Sequence, residues 1–150
     1  MKKLVIGIGN SFRRDDGVGL AVAEHIAALD LPGVSVMSSD GEPAAIIDAW
    51  DGVPTTVVVD AAVGEHTTCG QIRRWTPDEA AVSAATSSHA FGLPQAYALG
   101  RALGRMPGRL IVFTVDIADA SLGTGFSGPV TASVASAVDA VLTELADGGA

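Results

Sequence analysis

Short apolar runs alternate along this chain with segments of helical periodicity. Leu4-Val5-Ile6-Gly7-Ile8 is a continuous apolar run, of the kind found in strands covered on both faces. Residues 16 to about 29 then place Val18, Val22, His25 and Leu29 at i, i+4, i+7 and i+11, with Ala21 and Ile26 beside them. This predicts a helix with the His25 ring packed at the edge of its apolar stripe. Pro32-Gly33 ends it, and Val34-Ser35-Val36-Met37 opens a second strand that reaches Asp40-Gly41. Pro43 suits a helix start, and residues 44–50 carry Ile46, Ile47 and Trp50 on a short helix. After the turn Asp51-Gly52-Val53-Pro54, the β-branched run 55–59 predicts a third buried strand closed by Asp60.

The second half repeats the alternation. A loop, 61–70, holds His66 and Cys69, and Gln71-Ile72-Arg73-Arg74-Trp75 alternates as an exposed edge strand would. Residues 77–85 read as a short acidic helix or loop. Thr86-Ser87-Ser88 forms a helix N-terminus leading through His89 into a helix over 93–103, with Pro94 in its first turn. Residues 110–115 are the last core strand. The Gly- and Ser-rich stretch 119–128 is expected to be mobile, and Pro129 starts a final helix to about Leu145. The expectation is a single α/β domain over 1–150. Its sheet is twisted and mostly parallel, of about five strands, with helices on both faces and one edge strand antiparallel.

Composition narrows the classes. Hydrophobic residues make up 48% and charged residues 17%, which excludes a disordered chain. A formal charge of −8 argues against nucleic acid or an anionic membrane as partner. The single cysteine, Cys69, excludes an internal disulfide and suits a reducing compartment. No run approaches the roughly 20 apolar residues of a membrane span. The apolar stretch after Met1-Lys2-Lys3 is too short for a signal peptide, so a cytoplasmic protein is expected.

The chemistry gathers at strand ends. Gly7-Ile8-Gly9 begins like a dinucleotide fingerprint, but Phe12 holds the third glycine position. Asp15 and Asp16 would also oppose a pyrophosphate there. Those carboxylates suit a metal or a helix cap better. Asp16 follows the first strand, Asp60 closes the third, and His89 opens a helix. If the first and third strands are neighbours, Asp16 and Asp60 flank one crevice at the carboxyl edge of the sheet, within reach of His89. Two carboxylates and an imidazole make an open site for a divalent ion such as zinc or nickel. Against this stand loop capping for Asp60 and an ordinary first-turn position for His89. His25 lies ~14 Å along its helix from Asp16, too far to share an ion. His66 and Cys69 form a weaker His-x-x-Cys pair. No Gly-x-Ser-x-Gly elbow or His-Glu-x-x-His helix is present, so any hydrolysis would rest on a metal or on carboxylates.

Taken together, several motifs resemble the hydrogenase maturation proteases, which trim the C-terminal extension from the large subunit of nickel-iron hydrogenases. The pieces are Gly7-Ile8-Gly9-Asn10 with Asp15-Asp16-Gly17-Val18-Gly19, then Asp40-Gly41, then Val57-Val58-Val59-Asp60-Ala61. Ser87-Ser88-His89-Ala90-Phe91-Gly92-Leu93 and the stretch from Leu122 to Ser127-Gly128-Pro129-Val130 complete them, in the family's order over nearly the whole chain. The resemblance implies that Asp16, Asp60 and His89 are the catalytic residues and the metal ligands. They would recognise nickel already installed in the hydrogenase large-subunit precursor, with zinc or cadmium able to take its place in a crystal. It implies no tightly held resident metal, no nucleic-acid partner and no membrane. Departures are Cys69-Gly70, where relatives often have Pro-Gly, and Asp16, where some have Glu. Arg13-Arg14 is more basic than the pattern and offers a grip on the substrate; Asp40 is a possible helper carboxylate. Two other readings remain: a non-enzymatic nickel-sensing module for hydrogenase assembly, and a small nucleotide-binding protein.

Overall fold

In the computed structural model, which describes residues 2–9, 17–62, 71–76, 93–116 and 128–147, the apolar runs line up as one five-stranded sheet. The strands are β1 (Lys3–Ile8), β2 (Val34–Ser39), β3 (Thr55–Ala62), β4 (Ile72–Trp75) and β5 (Arg109–Asp116), in the order β2-β1-β3-β5-β4. The β1–β2, β1–β3 and β3–β5 pairs are parallel, and β4 runs antiparallel to β5 at one edge. The helices described are α1 (Val18–Ala28), α2 (Pro43–Trp50), α3 (Leu93–Leu103) and α4 (Gly128–Asp147). The α/β architecture expected from the alternation, with its antiparallel edge strand, is the one found.

Strand alternation divides the core in two. Val5, Val57, Val59, Ile111, Phe113 and Val115 face one side and pack with Val18, Val22 and Ile26 of α1 and Val134, Ala137, Val141 and Leu145 of α4. Leu4, Ile6, Ile8, Val58, Leu110 and Val112 face the other and pack with Ile46, Ile47 and Trp50 of α2 and Leu93 and Ala96 of α3. Both faces of β1, β3 and β5 are thus dry, which is why their sequences are nearly continuous in apolar residues, whereas the edge strand β2 is partly exposed and carries three serines.

Local signals set the helix starts. Pro43 occupies the first turn of α2, where no amide hydrogen is needed, and the Glu42 carboxylate accepts from the amides of Ala44 at 3.1 Å and Ala45 at 2.8 Å. The other end of α2 is pinned by Trp50, whose Nε1 donates to the Arg105 carbonyl at 3.0 Å. Arg105 in turn donates to Asp51 and Asp48, and these carboxylates raise its guanidinium above the ordinary arginine value.

The buried face of α1 differs from the expected stripe. Val18, Gly19, Val22, Ala23 and Ile26 are buried, whereas His25 is exposed and Leu29 is 50% exposed. The inward face is built partly from small residues because strand backbone lies against it. A Cβ on Gly19 would sit 2.4 Å from the Ile8 carbonyl oxygen and 2.5 Å from that of Val59. One on Gly7 would sit 2.3 Å from the Gly19 carbonyl oxygen. A stripe drawn through large residues alone is rotated away from this face, and it wrongly packed the His25 ring at its edge.

Gly19→Ala should therefore be among the most damaging single-methyl changes in the chain. Both facing atoms are backbone oxygens, so the helix must shift, at a cost of roughly 2–3 kcal/mol. His25→Ala should change stability by no more than about 0.5 kcal/mol. Urea unfolding of both variants beside the parent measures the contrast.

Candidate functional site

The chain reverses direction across the sheet at β1. From β1 it passes through α1 to β2 on one side, then through α2 to β3 on the other, which gives the order β2-β1-β3. In an open parallel sheet the crevice outside the carboxyl ends of the strands at such a reversal is where ligands bind. Here it lies between the ends of β1 and β3, where Gly7 is paired with Val59.

Asp60 follows Val59 directly. It is 1% exposed, and its Oδ1 accepts from the Ala61 amide at 2.7 Å. Val58 faces the α2–α3 side, so by alternation Asp60 does too. A carboxylate this deeply enclosed is costly unless other groups hold it, which makes Asp60 a candidate functional residue beside its bond to the Ala61 amide.

Of the other predicted site residues, Asp16 and His89 lie outside the described residues, as do Arg13, Arg14, Asp15, His66, Cys69 and the stretch 119–127. The described elements flanking them are informative. Gly17 takes the N-cap position of α1, directly after Asp15 and Asp16 in the sequence. The helix that follows Asp16 presses its Gly19 on the ends of β1 and β3. The helix that follows His89, α3, packs on the face to which Asp60 points. Asp40 is exposed at the end of β2 and accepts from the Glu42 amide at 3.1 Å, shaping the turn into α2. Among the described residues no three His, Cys, Asp or Glu side chains gather as a metal site.

Sequence reading missed a second buried carboxylate at the same edge. Asp116, fully buried, ends β5 as Asp60 ends the core of β3, and Arg73 of β4 donates to its Oδ2 from Nε at 3.2 Å. The signal was present: the run Leu110-Ile111-Val112-Phe113, continued by the β-branched Thr114-Val115, closes on an aspartate, as Val57-Val58-Val59 does. The row behind this pair is polar as well, since Trp75 donates from Nε1 to the Thr114 hydroxyl at 2.9 Å.

A family model described as hydrogenase maturation protease, HycI, matches residues 21–144. Among solved structures, the hydrogenase maturating endopeptidase HybD from E. coli is similar with a TM-score of 0.84 and 21% identity, over 99% of this chain and 94% of that one. An endopeptidase from Escherichia coli, solved in solution, gives 0.86 and 23% over the same shares. The [NiFe] hydrogenase maturation protease HybD from Thermococcus kodakarensis gives 0.74 and 22%, over 95% of this chain and 98% of that one. At these identities the structural likenesses speak for the fold. No curated protein matches the sequence.

Asp60→Ala should cost about 1–3 kcal/mol, because the buried Ala61 amide loses its acceptor. Asp60→Asn keeps an amide oxygen in that place and should cost less than about 1 kcal/mol. Thermal melts of the two variants check this and establish Asp60→Asn as the cleaner probe of chemistry.

Proposed function

The chain belongs to the hydrogenase maturation protease family, and on that premise we propose that it removes the C-terminal extension of a nickel-iron hydrogenase large-subunit precursor after nickel insertion. The observation that carries this reading to a particular site is Asp60, a nearly fully buried carboxylate at the crevice between β1 and β3. The metal belongs to the substrate: nickel arrives in the precursor, and Asp16, Asp60 and His89 hold it while the tail is cut.

The donor set suits that ion. Carboxylate oxygens and an imidazole nitrogen bind nickel or zinc, and three protein ligands leave positions for the ligands the precursor brings. The hydrogen bond from the Ala61 amide fixes the Asp60 carboxylate, as ligating carboxylates generally require. Bound there, nickel supplies Lewis acidity to the scissile carbonyl or to a water. An open three-ligand set binds free metal weakly, so cleavage would wait for a loaded precursor and leave an empty one intact. Among the described residues no helix is long and apolar enough to cross a membrane.

The purified protein should trim nickel-loaded precursor and leave nickel-free precursor untouched. Asp60→Asn and His89→Ala should each lower trimming by more than about a hundredfold, since even changes behind a metal ligand cost 10–100-fold. His25→Ala should trim like the parent, because its side chain is exposed on α1 and is not among the proposed ligands. Mass spectrometry of the precursor over time reads all three. Tight binding of loaded precursor without trimming would instead favour the nickel-sensing module.

A further inference from the structure

One row of backbone register across three strands connects Asp60 to Arg73. Asp60 is paired with Thr114 of β5, and Thr114 is paired on its other side with Arg73 of β4. Paired residues in a sheet point to the same face. Arg73 therefore shares a face with Asp60, two strand spacings away, or ~9.5 Å between backbones. Its side chain leans toward the carboxyl edge, where Asp116 is anchored at the end of β5.

The anchoring is partial. Arg73 donates to Asp116 from Nε alone, and its guanidinium makes no other hydrogen bond among the described residues. Its side chain is 36% exposed, while Asp116 is fully buried. The remaining arginines described are placed otherwise. Arg74 and Arg109 share Glu144, Arg105 is held by Asp48 and Asp51, and Arg101 lies over the Tyr97 ring. Arg109 starts β5, at the end of the sheet away from Asp60. Arg73 is thus the described cation at the carboxyl edge, oriented through Nε by a buried carboxylate, with its Nη groups making no hydrogen bond among the described residues. A planar guanidinium held by one N–H presents its other donors as a fork matched to a carboxylate.

We infer that Arg73, positioned by Asp116, binds a carboxylate of the substrate peptide about two to three residues from the scissile bond. The inference rests on the protease reading above, because that reading places the scissile bond beside Asp60. Through its bond to Asp116 the guanidinium is anchored one strand spacing across (~4.8 Å) and two residues further along (~6.6 Å) from Asp60, or ~8 Å, which an extended chain of ~3.3 Å per residue spans in two to three residues. Arg73 is a specificity-determining residue in this arrangement. It selects among peptides in a protein whose overall charge of −8 would otherwise repel an acidic segment.

The test uses nickel-loaded hydrogenase large-subunit precursor and versions of it in which each Asp or Glu within about four residues of the cleavage point is changed to its amide. Binding affinity and trimming kinetics are measured with the parent protein, Arg73→Gln, Arg73→Lys and the double variant Arg73→Gln/Asp116→Asn. The double variant removes the buried carboxylate's charge along with its partner, so binding is read even if Arg73→Gln alone folds poorly. The expected result is about a tenfold rise in Kd and KM for Arg73→Gln and for the double variant, with kcat little changed. One carboxylate-to-amide change in the precursor should produce the same loss with the parent protein and no further loss with Arg73→Gln. Arg73→Lys should recover part of the affinity, since it keeps the charge and loses the fork. Equal affinity of Arg73→Gln and the parent overturns the inference, as does a loss that is the same for every precursor version. A precursor lacking any carboxylate in that window also overturns it. Parent protein that binds the precursor without trimming it overturns the protease reading, while the affinities still decide Arg73. Parent protein that does not bind the precursor overturns both.

Discussion

Backbone rests on backbone where α1 meets the ends of β1 and β3, and the candidate site depends on that contact. Gly7 and Gly19 bring the helix so near the sheet that a methyl on either would fall within 2.6 Å of a neighbouring atom. The helix is thereby fixed at its first turn, directly after the segment that holds Asp16. The same ends of β1 and β3 form the crevice created by the reversal of strand order, and Asp60 stands there. A looser helix, held by longer side chains, would leave the acidic loop and the strand-end carboxylate without a common frame.

The sheet supplies a second constraint. Its carboxyl edge carries charged groups inside an otherwise apolar core, at Asp60 and Asp116, with Thr114 and Trp75 joined behind them. Buried carboxylates weaken a fold unless they are hydrogen-bonded or paired. Here Asp60 takes the Ala61 amide and Asp116 takes Arg73. The other edge of the strands is bonded in ways that serve the fold alone, such as the Gly108 amide to the Val53 carbonyl and Trp50 to Arg105. The buried carboxylates and these backbone and tryptophan bonds thus lie at opposite ends of one sheet.

Much of this was legible in the sequence. The continuous runs at 4–8 and 55–59 identified strands buried on both faces, the alternation at 71–75 marked the antiparallel edge, and Pro43 marked a helix start. Asp60 was legible because a carboxylate ends an apolar run. Two features were not read. The inward face of α1 was hidden because Gly19 and Ala23 carry no hydrophobic bulk, and periodicity drawn through large residues packed the His25 ring at the stripe's edge when it is exposed. The Arg73–Asp116 pair was hidden for a different reason. It exists only through the register of β4 on β5, and no local pattern specifies which residue of an antiparallel edge strand faces which. The convergence of Asp16 and His89 on Asp60 was expected from their places at a strand end and a helix start and from the family resemblance, and both lie outside the described residues.

That convergence is the central claim, and anomalous diffraction from crystals soaked with nickel or cadmium tests it most directly. The account predicts one ion in the crevice between β1 and β3, with carboxylate oxygens of Asp16 and Asp60 and a ring nitrogen of His89 within about 2.0–2.4 Å of it. An ion held elsewhere, for instance by His66 and Cys69, or a crevice in which the His89 ring points away from both carboxylates, would contradict it.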